Sequence, residues 1–194
     1  MNVGRPAEFD RQAVLEKAMG LFWRKGYEAT GLTELTKEMG IGRQSLYNAF
    51  GDKHALFVEA INHYSTQNTR PLIEKLTAPG SGIGNIRKTF EAVIEFTTSG
   101  DCCGCFVTNS IVELAPRDEK VANVVRSTIR RLEDAFKVAV ERSSESGEIS
   151  RDVNPRAIAR FLNNTLQGMI VLAKASTSKT ALKDVVKIAL SKIT

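Results

Sequence analysis

Hydrophobic positions recur every three to four residues along almost the whole chain, which is the mark of helices that bury one face. Val14, Leu15, Ala18, Leu21 and Phe22 form the first such stripe. Asp10 stands where it can cap that helix, Arg24 and Lys25 suit the negative end of its dipole, and Gly26 suits a left-handed stop. A second, short helix is expected over about residues 32 to 39, ended by Gly40, and a third over about 43 to 49, ended near Gly51. Asp52 can cap a fourth, with Leu56, Phe57, Ala60, Ile61 and Tyr64 on one side. The stretch "TAPGSGIG", residues 77 to 84, is the clearest interruption, because it holds one proline and three glycines. Beyond it a fifth helix is expected at about 84 to 99. A sixth should run from about 104 to Ala115, stopped by Pro116. The seventh is long, about 118 to 145. Asn154-Pro155 opens an eighth, and a ninth runs over about 178 to 193.

The pattern therefore predicts an all-α protein of about nine helices. It divides into an N-terminal region, residues 1 to 53, a connecting fourth helix over 54 to 76, and a C-terminal region, 77 to 194. The last two helices have broad apolar faces in a chain that already has a core. A second copy of the chain could cover them as a four-helix bundle, so a homodimer is expected. Leu166, Met169, Leu182, Val185, Val186 and Ala189 are the residues expected to pair.

Composition narrows the class. With 194 residues, 42% of them hydrophobic and 25% charged, the chain is an ordinary globular protein. No run approaches the ~18 to 20 apolar residues that span a membrane. The start "MNVGRPAEFDRQ" has no apolar leader segment, so a cytoplasmic protein with no membrane partner is expected. Net charge is +5, but residues 1 to 70 carry only one charge of that excess. Five lysines between 174 and 192 read as a solvated helix face. Bulk charge thus says little about nucleic acid, and particular residues must carry that case.

The segment "LTELTKEMGIGRQSLYNAFGDKHALF", residues 32 to 57, carries it. Two short helices joined by a tight glycine turn can pack steeply across each other. Leu35, Met39, Leu46 and Phe50 would face inward. Arg43, Gln44, Ser45, Tyr47 and Asn48 would face out, with no large aliphatic residue among them. Such a face suits the donor and acceptor code of base edges in the major groove. Tyr47 and Lys53 would reach phosphates. Residues 5 to 64 resemble the DNA-binding domain of TetR-family regulators. Gly26-Tyr27, Ala29-Thr30, Leu35, Gly40-Ile41, Leu46-Tyr47, Phe50, Lys53 and Leu56 fall at the family's spacing.

The resemblance implies a homodimeric repressor that grips a palindromic double-stranded DNA operator and is released by a small-molecule effector. It implies phosphate contacts near Thr30 and Gly31, base and backbone contacts from Arg43, Gln44, Ser45, Tyr47 and Asn48, and a phosphate contact from Lys53. It also implies that Arg5, in "GRP", belongs to a basic arm. Three positions depart from the family pattern: Gln44 stands where glycine is common, Ala49 where histidine or tyrosine is common, and Gly31 where serine or threonine usually caps.

The C-terminal region shows chemistry without a ligand signature. The sixth helix, "GCFVTNSIVELA", is apolar nearly all round and should be buried. It nevertheless holds Asn109, Ser110 and Glu113, which must find partners in the core or line a cavity. Phe96, Phe106, Phe161 and Gln167 are candidate co-liners of an effector pocket. Cys102, Cys103 and Cys105 cluster in "DCCGC", which is not a secreted disulfide framework. They read either as small buried hydrophobes or as a thiol switch, since a helix N-terminus favours thiolate. Three thiols so close together make poor tetrahedral ligands, so no metal is expected, and no cofactor. No nucleophile–base pair or cofactor loop supports the rival reading, a small all-helical enzyme.

Overall fold

The computed structural model describes residues 9–99, 103–175 and 177–193. Helices account for nearly all of them: α1 (Arg11–Lys25), α2 (Leu32–Met39), α3 (Arg43–Phe50), α4 (Lys53–Tyr64), a π-helical turn (Ser65–Thr69), α5 (Arg70–Thr77), α6 (Gly82–Thr97), α7 (Phe106–Glu113), α8 (Glu119–Glu145), α9 (Pro155–Ala173) and α10 (Lys179–Ser191). The backbone stays right-handed helical at the junctions from Tyr64 to Arg70, so α4, the π turn and α5 make one continuous rod. The described chain thus has nine rods, as the hydrophobic pattern predicts. The break inside the fourth was not foreseen. Pro71 sits at the start of α5 and has no N–H to give the carbonyl one turn back, and a wider turn absorbs that missing bond.

Caps read from sequence act as caps. Asp10, Asp52 and Asn154 each accept from a backbone N–H in the first turn of the helix they precede, and so do Asp118 and Ser178, which were not read as caps from sequence. Ser81 does the same for α6, which begins at Gly82, two residues before the expected 84. Between α2 and α3, Gly40 adopts φ 73° and ψ 26°. Its N–H bonds the Lys37 carbonyl at 3.2 Å, while the Ile41 N–H reaches back to Thr36 at 3.2 Å. This closed turn satisfies the last carbonyls of α2 and re-aims the chain into α3.

Two hydrophobic clusters organise the molecule. One joins α1 to α4 with α7 and the start of α8, through Phe22, Leu35, Leu46, Phe57, Phe106 and Val121. The other joins α5, α6, the rest of α8, α9 and α10, through Phe90, Phe136, Leu162, Leu166 and Val186. The 27-residue α8 is about 40 Å long and contributes to both.

The expected dimer stripe is a correction. Leu166, Met169, Leu182, Val186 and Ala189 have relative exposures of 1, 2, 1, 6 and 2%. They lie inside this chain, where α9 and α10 meet α6 and α8. Of the expected set only Val185, at 42%, faces out. A helical period shows that an apolar face exists but not which neighbour covers it. The faces of α9 and α10 left uncovered carry Phe161 and Leu172, and Val185 and Ile188. The α7 expectation is also corrected. Its buried face is Phe106, Val107, Thr108 and Ser110, whereas Val112 is 80% exposed.

Candidate nucleic-acid interface and effector cavities

The outward face of α3 forms because Leu46 and Phe50 plug into the core of α1, α2 and α4. Arg43, Gln44, Tyr47 and Asn48 are then exposed, and Ser45 is half-buried. These side chains are not loose. The Arg43 guanidinium donates to the Thr33 hydroxyl at 2.7 Å, and Gln44 Nε2 donates to Asn48 Oδ1 at 3.0 Å. A second tie holds α3 from behind. Arg11 donates to the Ala49 carbonyl at 3.2 Å, stands 4.5 Å from the Phe50 ring centre, and pairs with Glu59 of α4. Thr33 and Arg11 were not singled out by sequence. Their only signal was position, at the start of α2 and the start of α1.

Two expected phosphate residues stand differently from each other. Gly31 is exposed at the N-terminus of α2, where no side chain caps the helix. Thr30 is completely buried, and its hydroxyl donates to the Gly26 carbonyl at 2.6 Å. Its side chain therefore braces the α1–α2 turn and does not reach a phosphate. Lys53 opens α4 with its ammonium 4.1 Å from the Tyr27 ring centre. Burial pushes the Lys53 ammonium below the ordinary lysine range, against the pull of Glu28 and Glu113. Arg5 lies outside the described residues.

The α1–α2 turn is clamped from the C-terminal half. Gly26 takes φ 85° with ψ 171°, a glycine-only conformation and not the expected left-handed stop. The Glu113 carboxylate lies against it and accepts the Glu28 N–H at 3.0 Å. Nearby, His54 of α4 meets Asp118, the cap of α8, at 2.5 Å. Burial works against the Asp118 charge, but the Val121 N–H and the His54 ring outweigh it and hold this carboxyl below its usual range. Trp23, the one tryptophan, donates from Nε1 to the Gly104 carbonyl at 3.1 Å, and its ring stacks on Phe96 at 6.2 Å.

The expected pocket residues divide between two cavities. One of about 380 Å³ lies among α1, α7 and the end of α9, and takes in Phe106, Asn109 and Glu113. Another of about 230 Å³ is bounded by the π turn, α5 and α6, and takes in Phe96 and Cys105. Ser110, Phe161 and Gln167 line neither. Ser110 bonds the Phe106 carbonyl at 2.8 Å, and Gln167 accepts from Thr108 at 2.6 Å. Phe161 is 45% exposed on the outer side of α9. Cys105 is half-buried and precedes the first turn of α7, and Cys103 is also half-buried. Cys102 lies outside the described residues. Among the described residues, no helix is long and apolar enough to cross a membrane.

Comparison with known proteins agrees with this geometry. Residues 14–60 match the family model for bacterial regulatory proteins of the tetR family, and residues 82–189 match the tetracyclin repressor-like C-terminal domain. The chain is 35% identical over 191 residues to YezE, an uncharacterized HTH-type transcriptional regulator of Bacillus subtilis, covering 97% of this chain and 98% of that one. It is 31% identical over 184 residues to the HTH-type transcriptional repressor ComR of Escherichia coli, covering 94% and 88%. A cysteine-substituted mutant of the TetR family regulator CifR, solved with a 26-base-pair double-strand operator DNA, superposes with a TM-score of 0.87 at 31% identity, over 98% of this chain and 100% of that one. Helix order, the Gly40 turn, the outward α3 face and both family models agree. The chain belongs to the TetR family of bacterial transcriptional regulators.

Proposed function

We propose that this chain is a homodimeric repressor that holds a palindromic operator through α3 and lets go when a small molecule enters its C-terminal half. The observation that carries the reading is the α3 face. Arg43, Gln44, Tyr47 and Asn48 project from a helix seated by Leu46 and Phe50, and three of the four are already held by hydrogen bonds, Arg43 to Thr33 and Gln44 to Asn48. Arg43 would pair with guanine, Gln44 or Asn48 with adenine, and Ser45 with either. Tyr47, Lys53 and the N-terminus of α2 at Gly31 would hold phosphates. CifR in complex with operator DNA supports this assignment by its likeness along the whole chain. The division into a reader over 1–53, a connector over 54–76 and an effector and pairing region over 77–194 is kept as part of the proposal.

A single short helix reads too few base pairs to select one site, so a two-fold pair is required. The uncovered faces of α9 and α10 fit it, with Phe161, Leu172, Val185 and Ile188 at the surface. Gly168 lies on the same side of α9 and has no neighbour within 4 Å of where a Cβ would stand, which leaves room for a partner helix. The smaller cavity is the better effector site. It is mostly apolar, and its wall includes the π turn inside the rod that begins at the reader. The test is selection of DNA from a random pool, followed by binding to the selected duplex. An inverted repeat bound far more tightly than random DNA is expected, and recovery of no preferred sequence would overturn the reading.

One observation favours a second reading for release. Cys105 lies in the wall of that cavity at the N-terminus of α7, so covalent chemistry at Cys105, with Cys102 and Cys103 close in sequence as further thiols, would also disturb the wall. Operator release by an oxidant, reversed by dithiothreitol and lost in Cys105→Ser, supports this reading. Release unaffected by Cys105→Ser excludes it.

A further inference from the structure

The larger cavity has no part in the scheme above, and its chemistry differs from that of the smaller one. Its apolar wall is Trp23, Phe106, Val112 and Val171. Val112 and Val171 are 80% and 49% exposed, so this wall opens to solvent without a cover from its own chain. Across it stands Lys174. A Cβ at Gly104 would lie 2.5 Å from Lys174 Cδ, so the lysine stem lies directly on that glycine. Its ammonium donates to Asn109 Oδ1 at 3.2 Å, and no carboxylate pairs with it among the described residues. A flexible surface lysine has no need of such a seat. A cation held over an aromatic and aliphatic wall is complementary to a molecule with an apolar body and one negative end.

We infer that this cavity is a second ligand site, for an amphipathic organic anion. The carboxylate or equivalent group takes the Lys174 ammonium, which Asn109 Oδ1 holds in place, and the apolar body covers Val112 and Val171. Arg24 and Lys25 line the same cavity and hold α2 through Glu38 at 2.9 Å and Glu34 at 2.7 Å. An anion here competes with those two carboxylates, so occupancy bears directly on the α2–α3 hairpin. The inference does not depend on the identity of the effector in the smaller cavity.

Phenylbutyrate is a suitable probe, with its neutral amide as control. Binding is read by calorimetry and by the emission of Trp23, the only tryptophan in the chain. Saturable binding of the acid, about tenfold tighter than that of the amide, is expected. Lys174→Gln should remove that tenfold advantage and leave amide binding unchanged. Glu113 also lines this cavity, with its carboxylate engaged by the Glu28 N–H; Val112→Asp adds a second like charge, unengaged and on the open wall, and should weaken acid binding at least about tenfold. Ala92→Phe, which fills the smaller cavity, should leave acid binding intact. Circular dichroism melts establish that each variant is folded. Equal binding of acid and amide, an acid affinity unchanged in Lys174→Gln, no saturation, or loss of binding only in Ala92→Phe would each overturn the inference.

Discussion

At the scale of single residues, the side chains proposed to face DNA differ in how they are held, and this sets their expected roles. Arg43 is aimed by the Thr33 hydroxyl and projects from the first turn of α3. Arg43→Ala should relax preference at one position of each half-site, at about 1–3 kcal/mol, with little effect elsewhere. Lys53 is held over Tyr27 beside the α4 N-terminus. Lys53→Ala should weaken all sequences alike and lower the salt dependence of binding. Titrations of specific and random duplexes at several salt concentrations separate the two, and identical behaviour would show that the division of roles is wrong. Gly26 makes a different kind of demand. A Cβ there would meet φ 85° and stand 2.8 Å from Glu113 Oε1. Gly26→Ala should cost about 1–3 kcal/mol of stability, visible as a lowered Tm, even though residue 26 touches no base.

At the scale of helices, ends matter as much as faces. Glu148 lies beyond α8, yet it serves α6: it accepts the Ile83 N–H at 3.3 Å. The Ser81 hydroxyl is the main cause holding its carboxyl below the usual range; burial opposes this, and the Ile83 N–H, Ser143 and the Gly82 N–H add to the lowering. A depressed carboxylate contributes stability above its unfolded-state pKa, near 4.3, and that contribution fades as pH falls through the lower folded value. Glu148→Gln should therefore cost about 0.5–1 kcal/mol near neutral pH. The difference from wild type should vanish in acid below the ordinary carboxylate range. Denaturant melts across pH test this, and a pH-independent difference would mean that the Glu148 charge is irrelevant to α6.

At the scale of the whole molecule, α9 and α10 each have an inner and an outer apolar face, and substitutions on the two should fail differently. Val186 is 6% exposed and belongs to the C-terminal core. Val186→Asp buries a charge without a partner, at a cost of several kcal/mol, and should yield unfolded chain. Val185 is 42% exposed and Ile188 60%. Val185→Asp and Ile188→Asp should leave the fold and its Tm nearly intact while weakening the dimer by at least about tenfold, and operator binding with it. Sedimentation at several concentrations, with circular dichroism, separates unfolding from dissociation. Folded, fully dimeric Ile188→Asp protein would place the subunit interface elsewhere. The two halves are also tied inside one chain, by Glu113 to the α1–α2 turn, His54 to Asp118, and Trp23 to Gly104. A change in the shape of the C-terminal half therefore has short mechanical routes to α2 and α3.

Much of this protein was legible in the residues alone because the signals are local. Helix caps at Asp10, Asp52 and Asn154, the turn at Gly40 and the polar outer face of α3 all depend on neighbours within a few positions. Such short-range constraints hold whatever the rest of the chain does. The tertiary structure decided what depends on distant partners. Thr30 and Gly31 are adjacent, but one lies against the Gly26 carbonyl and the other against solvent. The pocket residues read from α6 and α7 separated into two cavities because α1 sets Trp23 against Phe96, and those read from α9 line neither. The stripe from Leu166 to Ala189 went into the chain's own core because α6 and α8 reach it first. Periodicity records that a face avoids water. Only packing determines which of several apolar surfaces, in this chain or a second copy, shields it.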